Sequence, residues 1–168
     1  LSVKEGEFTA IVGPSGCGKT TLLNMIGGLD ISSEGSVEVG GVSIQDMNES
    51  QLTAFRLQHI GFVFQAYNLI PVFTAKENIE FIMVLQNMDA KTMQERSDDL
   101  LDRMGIKNQK NRRPSELSGG QQQRVAVARA LAARPKFVLA DEPTANLDSG
   151  STEDLLDIMA KLNKEEKM

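Results

Sequence analysis

The chain has 168 residues, of which 40% are hydrophobic and 24% are charged, and its formal net charge is −5. This composition is that of a one-domain globular protein and excludes disordered and fibrous classes, while the negative charge argues against a general nucleic-acid binder. The single cysteine excludes an internal disulfide, so we expect a reducing, cytoplasmic setting. No apolar run approaches the roughly 20 residues that span a bilayer.

Both ends of the chain suggest a fragment. The sequence begins at Leu1 rather than at a methionine, and it stops on the charged helix end Lys164–Met168. We therefore expect residues 1–168 to be one domain that is truncated at both ends.

A phosphate-binding loop is the strongest motif. Residues Gly13–Thr20 match the pattern G-x-x-x-x-G-K-[ST] between an apolar run, Phe8–Val12, and a predicted helix that continues over Thr21–Ile26. Glycines let the backbone N–H groups curl around a polyphosphate, and the helix N-terminus adds a partial positive charge. The predicted nucleotide-binding residues of this loop are Gly13, Pro14, Ser15, Gly16, Cys17, Gly18, Lys19, Thr20 and Thr21.

Two residues of the loop have specific predicted roles. Lys19 supplies a positive charge to the β- and γ-phosphates, and the Thr20 hydroxyl is placed to bind Mg²⁺. The alternative is a glycine-rich turn that matches the pattern by coincidence. The strand and helix signals on either side favour the functional interpretation.

The next elements are predicted to be scaffold that leads to one polar residue. Gly35–Val42 alternates apolar and polar residues between glycines, which predicts a hairpin at the edge of the sheet. Ile60–Phe64 is a short apolar run that predicts a buried strand, and Gln65 follows at its carboxyl end. Ligands of open α/β sheets bind outside such strand ends, so we expect Gln65 to face the nucleotide.

A helical segment is predicted between the strands. Thr74–Glu77 is a capping box that begins a helix over Asn78–Gln86. A second helix has one apolar face and ends near Gly105; that face carries Met93, Ser97, Leu100, Leu101 and Met104. We expect residues 72–118 to form a helical subdomain, with its methionines in the core or on a docking surface.

A second anion site is predicted at Leu117–Gln121. Ser118 and Gln121 have capping-box spacing at the start of a helix that runs to about Arg134, and Gly119 and Gly120 lie between them. An ordinary helix cap explains Ser118 and Gln121 but not two adjacent glycines, which weaken a first turn by about 1 kcal/mol each. The arginines of this helix are expected on a solvated or interdomain face; they are Arg124, Arg129 and Arg134.

Two acids follow the predicted buried strand Phe137–Ala140. Adjacent carboxylates repel each other, which a metal and an attacking water would justify, so we assign Asp141 to the metal and Glu142 to the proton. The alternative is two solvent-exposed acids at a strand end. Asp148 lies in the turn before the last helix, where it could be a ligand residue or simply the N-cap; the predicted apolar stripe of that helix comprises Leu155, Ile158, Met159 and Leu162.

Together these motifs resemble the ATP-binding cassette (ABC) family over essentially the whole chain. Gly13–Thr20 is similar to Walker A, Gln65 to the Q-loop and Leu117–Gln121 to the signature sequence. Phe137–Asp141 is similar to Walker B, with Glu142 as the catalytic glutamate, and Ala145–Asp148 to the D-loop. The stretch Phe64–Pro71 with Thr74–Asn78 resembles the bacterial subgroup of lipoprotein release and macrolide export.

The resemblance implies a fold and a set of roles. The fold is an α/β P-loop NTPase with a mainly parallel sheet, an antiparallel β edge and an inserted helical subdomain. Catalysis is assigned to Glu142, Gln65 and Lys19, and Mg²⁺ binding to Thr20, Gln65 and Asp141. The nucleotide ATP would also contact the second-site residues, which are Ser118, Gly119, Gly120, Gln121 and Asp148.

The implied function is ATP hydrolysis by the nucleotide-binding subunit of a transporter. Two copies would pair head to tail and act on an integral membrane partner at the cytoplasmic face of the inner membrane, without nucleic acid. The alternative is a non-transport ABC ATPase of DNA repair or chromosome maintenance, although Thr20–Leu117 leaves no room for a long coiled coil. A small-molecule kinase would lack Ser118–Gln121.

Two family elements are not found in this sequence. They are the aromatic residue that stacks on adenine and the switch histidine, which normally follows Asp148. His59 precedes Gln65 and cannot be that histidine by order, so it is assigned no role. We therefore expect weak or no hydrolysis from residues 1–168 in isolation.

Overall fold

The computed structural model describes residues 1–166; Lys167 and Met168, the last part of the predicted charged helix end, lie outside the described residues. The helices are α1 Lys19–Ile26, α2 Glu49–His59, α3 Ala75–Leu85, α4 Ala90–Arg103, α5 Gly119–Ala132 and α6 Ser149–Glu166. The strands are β1 Glu38–Val39, β2 Val42–Ser43, β3 Ile60–Val63 and β4 Phe137–Ala140. Within residues 1–166, no helix combines the length and apolar character required to cross a bilayer.

A parallel pair of strands forms the centre of the fold. Strands β3 and β4 pair in register from Ile60 opposite Phe137 to Val63 opposite Ala140. The amide of Asp141 donates to the Val63 carbonyl at 2.9 Å, which extends the ladder by one residue. The two carboxyl ends therefore meet at one edge, as the sequence predicted for Gln65 and Asp141.

The prediction of a strand before the phosphate loop is wrong. Phe8–Val12 leads into the loop as irregular chain, and within residues 1–166 it joins neither sheet. Val12 is 91% exposed and Phe8 is 52% exposed. Strand propensity is realised only where a neighbouring strand supplies hydrogen bonds and apolar contacts, and this segment has no such neighbour in the structure.

The predicted hairpin is confirmed as a separate small sheet. Strands β1 and β2 pair antiparallel, with Val39 opposite Val42. The hairpin packs through Val39 on a small core that includes Ile44 and Phe55. It therefore flanks the parallel pair without extending it.

Helix α2 was not predicted, although its start has a clear signal. Asn48 accepts from the Gln51 amide, and the Gln51 side chain accepts from the Asn48 amide, which completes a capping box. Leu52 and Phe55 then face the small core. The spacing of Asn48 and Gln51 would have identified this helix.

The helices between the strands pack around the largest core. Thr74 and Glu77 form the predicted capping box of α3, and Gly105, at φ +68°, follows α4 as predicted. The buried side chains that α3, α4 and α5 contribute include Ile79, Met83, Leu100, Leu101, Val125 and Leu131. The boundaries 72–118 of a helical subdomain remain a prediction.

Of the three arginines expected on a solvated or interdomain face, Arg124 and Arg129 are not fully solvated and contact other elements. Arg124 donates to the Met104 carbonyl at 2.8 Å. Arg129 donates to the carbonyls of Tyr67 and Asn68, and its burial lowers its pKa. Both guanidinium groups are thus satisfied by backbone oxygens of other elements. Arg134, beyond the end of the helix, is exposed as predicted.

Strand β3 and helix α5 touch through their backbones. A Cβ placed on Gly61 would lie 2.3 Å from the Ala130 carbonyl oxygen, far inside any real contact distance. Only glycine permits this approach. The contact fixes the spacing between the strand that leads to Gln65 and the helix that begins at Gly119.

Candidate functional site

The phosphate loop has the backbone geometry that its glycines predicted. Gly16 and Gly18 lie at φ +79° and +93°, in the left-handed region, and Gly18 is the N-cap of α1. The Cys17 amide donates to the Pro14 carbonyl at 3.3 Å, which closes a turn. The loop therefore curls tightly just before a helix N-terminus, the arrangement that binds phosphate.

Lys19 lies across the loop and faces a carboxylate. Its Nζ donates to the carbonyls of Gly13 and Pro14 at 2.9 and 3.1 Å. The same atom is 3.8 Å from Oε1 of Glu142. The ammonium group is thus held between the loop and the end of β4.

Thr20 contacts the other acid of the strand end. Its Oγ1 donates to Oδ2 of Asp141 at 2.9 Å, across 121 positions of sequence. A hydroxyl and a carboxylate oxygen are hard ligands of the kind that Mg²⁺ prefers, usually with one or two carboxylates and substrate phosphates. The donor set at this point therefore fits Mg²⁺.

Glu142 has an unusual backbone conformation for its residue type. Its φ is +46°, in the left-handed region that side chains with a Cβ rarely adopt. Its side chain is 46% exposed, so water reaches the carboxylate. A positive φ strains the backbone of a non-glycine residue, and strained residues are concentrated at functional sites.

Gln65 follows β3 at the same edge as the two acids. Its carbonyl accepts from Asn146 Nδ2 at 3.0 Å, which links the segment after β3 to the segment after β4. Gln65 is exposed, and its metal and catalytic roles remain predictions. Asn146, which the sequence suggested only as part of a motif, has a defined contact here.

The signature residues form a helix start away from the loop contacts. Ser118 and Gln121 make the predicted capping box of α5. A Cβ on Gly119 would lie 3.0 Å from the Tyr67 hydroxyl, so close packing accounts for this glycine. Gly120 has room for a Cβ at ordinary contact distances, and packing alone gives no reason for it.

Asp148 acts as a cap in this structure. Its carboxylate accepts from the Ser151 amide at 3.0 Å and from the Ser151 hydroxyl at 2.7 Å, at the start of α6. These hydrogen bonds hold the pKa of Asp148 below its usual value. The N-cap alternative therefore describes its contacts, and a ligand role remains a prediction.

Sequence reasoning missed Gln123. This residue is fully buried in α5, and its Nε2 donates to the Pro143 carbonyl at 2.6 Å, directly after Glu142. The only signal was a polar residue within an otherwise apolar helix face. A run of three glutamines, Gln121–Gln123, gave no reason to single out the last one.

The start of α1, just after the loop, lies against the acids at the end of β4, through Thr20 with Asp141 and Lys19 with Glu142. This arrangement is typical of nucleotide-binding proteins of the P-loop class. Comparison with known proteins then identifies the family. The profile of the ABC transporter family matches residues 1–145. The chain belongs to this family, and its function is the ATP binding and ATP hydrolysis of the transporter's nucleotide-binding component.

Several relatives are similar over nearly the whole chain. An ABC transporter ATP-binding protein of Thermotoga maritima is 47% identical over 164 residues, which cover 98% of this chain and 70% of that protein. The lipoprotein-releasing system ATP-binding protein LolD of Legionella pneumophila is 44% identical, with coverages of 98% and 72%. These matches support the transport component and not the DNA-maintenance alternative.

A solved structure is similar as well. It is the dimeric structure of a post-hydrolysis state of the ATP-binding cassette MJ0796 bound to ADP and Pi, with a TM-score of 0.90 and 44% identity. The match covers 99% of this chain and 74% of that one. The predicted fold class is thereby confirmed.

Proposed function

We propose that the phosphate loop holds Mg-ATP and that Glu142 is the general base of its hydrolysis. The observation that carries this proposal is the pair of contacts between α1 and the end of β4. Lys19 faces Glu142 at 3.8 Å, and Thr20 binds Asp141 at 2.9 Å. Glu142 thus faces the ammonium group proposed to bind phosphate, and Asp141 accepts from the hydroxyl proposed to bind Mg²⁺.

The roles follow from the chemistry of each group. The loop amides and Lys19 bind the phosphates, and Thr20, Gln65 and Asp141 would hold Mg²⁺. When bound, Mg²⁺ neutralises charge that develops on the phosphate oxygens. Glu142, exposed to water at the edge of the loop, accepts the proton of the attacking water.

The substitution Glu142→Gln tests the base. It keeps the shape of the side chain and removes its basicity, so phosphate release should fall roughly 10²–10⁴-fold while ATP affinity is retained. The matched control is Glu153→Gln, an exposed position on α6, which should leave both unchanged. Loss of less than about tenfold in turnover would remove Glu142 from this role.

The proposed assembly is a head-to-tail homodimer with shared ATP sites. Gly120 lies at the N-terminus of α5 without a packing reason for its missing side chain, and a helix N-terminus favours anions. The dimeric cassette of the similar solved structure supports pairing. In this arrangement Ser118–Gln121 and Asp148 of one copy complete the site on the loop of the other.

Mixed dimers test the sharing of sites. Lys19→Ala chains are combined with Ser118→Arg chains, with Glu142→Gln in both to prevent turnover. Shared sites leave one intact and one doubly broken site, so occlusion should be about one ATP per mixed dimer. Occlusion no better than in either parent homodimer would show that each site belongs to one chain.

We propose an integral membrane subunit as the further partner, at the cytoplasmic face of the inner membrane. A similar protein, LolD, is the ATP-binding protein of a lipoprotein-releasing system, which supports this. The intact protein should sediment with membranes when its membrane subunit is co-expressed and stay in the supernatant without it. Equal distribution in both cases would contradict the partnership.

A further inference from the structure

Helix α5 reaches the backbone next to Glu142 through one side chain. Gln123 is 0% exposed, and its Nε2 donates to the Pro143 carbonyl at 2.6 Å. Because a carbonyl oxygen only accepts, the amide nitrogen of Gln123 must face it. We propose that Gln123 is a positioning residue that holds the Glu142 carboxylate where the reaction needs it.

The bond acts on a segment that needs a constraint. Glu142 lies at φ +46°, a strained conformation that persists only where its surroundings determine it. Pro143 has no N–H, so its carbonyl is the only backbone hydrogen-bonding group of that residue. A donor on this carbonyl holds the peptide plane between Pro143 and Thr144. Because the proline ring restricts φ of Pro143, this bond also restrains the backbone next to Glu142, and with it the direction of the Glu142 side chain.

The other end of the Gln123 amide adds no hydrogen bond within residues 1–166. Oε1 of Gln123 is buried and has no hydrogen-bond partner among the described residues. A buried unpaired carbonyl oxygen is unfavourable, and an apolar side chain of similar size would avoid this cost. The gain from glutamine at this position is therefore the single directed bond to Pro143.

The inference rests on the proposed role of Glu142 and adds a residue that acts through it. Gln123 lies one turn into the helix that begins at Gly119, whereas Lys19 lies in α1, 3.8 Å from the Glu142 carboxylate. Gln123 holds the backbone beside Glu142, and Lys19 faces its carboxylate. Loss of Gln123 should therefore change the rate of the chemical step and leave ATP binding to the loop unchanged.

The substitutions Gln123→Met and Gln123→Leu in the intact protein remove the donor with two different apolar shapes. We expect kcat to fall about ten- to hundredfold in both, as for a slightly misplaced catalytic group, with ATP affinity unchanged within about twofold. The matched control is Gln86→Met. Gln86 also donates Nε2 to a backbone carbonyl, that of Leu57 at 2.9 Å, and its Oε1 is likewise buried and unpaired among the described residues.

A double-substitution cycle separates positioning from general damage. In a Glu142→Gln background, Gln123→Met should not reduce the residual single-turnover rate further, because the group it positions is already absent. The inference would be overturned if kcat were unchanged in the single variants or if they bound ATP more weakly. It would also be overturned if Gln123→Met reduced the rate as much in the Glu142→Gln background as in the otherwise unchanged protein. If Glu142 is not the base, the Glu142→Gln single variant will remain active, and this outcome is distinguishable from those above.

Discussion

The phosphate loop and helix α5 use opposite physical means to build one site. Helix α1 follows the loop and has no buried residue. The loop itself depends on glycines at positive φ. Helix α5 buries most of its residues, including the polar Gln123. The groups proposed to do chemistry are therefore exposed or partly exposed, whereas the helix proposed to position Glu142 is packed.

Substitutions in these two regions should affect function and stability differently. An exposed loop forms few contacts, so changes there affect binding more than folding. A buried helix cannot change without disturbing its neighbours, because protein interiors are close-packed. Matched substitutions in the two regions test this contrast.

Matched leucine substitutions should show the largest difference. Leu131→Ala in α5 removes a buried side chain and should reduce the free energy of unfolding by about 2–5 kcal/mol. Leu22→Ala in α1 alters a partly exposed side chain and should cost less than about 1 kcal/mol. Urea denaturation at constant pH measures both. Equal losses would mean that α1 is as well packed as α5.

Substitution of Glu166, at the charged edge of the helical core, should reduce the free energy of unfolding by a smaller and pH-dependent amount. Arg96 donates to Glu166 at 2.8 Å and to the Leu131 carbonyl, and Arg103 also binds Glu166. Burial alone would raise the pKa of Glu166, but its hydrogen bonds with Arg96, their charge attraction and the contacts with Arg103 outweigh this and lower it from 4.5.

Glu166→Gln should therefore destabilise the protein by about 2 kcal/mol at neutral pH, as for hydrogen bonds to a charged group. Since the folded pKa is the lower one, the contribution of Glu166 is complete above pH 4.5 and is lost as the pH falls through the folded pKa. The matched control is Glu165→Gln, whose partner is Arg103 but whose side chain is 46% exposed against 17% for Glu166. A loss that is the same at pH 7 and pH 3 would contradict this account.

The smallest expected effect is on the reactivity of the loop. Cys17 is exposed and is the only thiol of the chain. Maleimide labelling of the intact protein should proceed readily and slow severalfold, by about 3–10 times, when Mg-ATP at roughly 100 Kd covers the loop. Cys17→Ser provides the background control. Labelling at the same rate with and without nucleotide would indicate a thiol that points away from the ligand.

Features set by close sequence spacing were predictable. The capping boxes at Thr74 and Ser118 depend on residues three apart, and the structure contains both. The same rule would have located α2 from Asn48. Strand β4 and the acids after it were also predicted, because an apolar run with a polar end is itself a local pattern.

Features set by distant partners were less accessible. Phe8–Val12 has the composition of a strand, but a strand also needs a neighbour, which composition does not report. Thr20 and Asp141 could be named from motifs, whereas their 2.9 Å contact joins residues 121 positions apart, a distance that sequence spacing does not report. The sequence left Arg129 on a solvated or interdomain face because its carbonyl partners lie more than 60 positions away.

The contact between Gly61 and the Ala130 carbonyl has a mechanical consequence. Helices and sheets usually meet through a layer of side chains, which can deform when one slides over the other. Here the two backbones touch directly, with 2.3 Å between the site of an added Cβ and the carbonyl oxygen. If α5 tilts against the sheet, we expect the pivot to lie at the contact between Gly61 and Ala130. The N-terminal end of α5 at Gly119 would then move furthest, and the segment near Ala130 would move least.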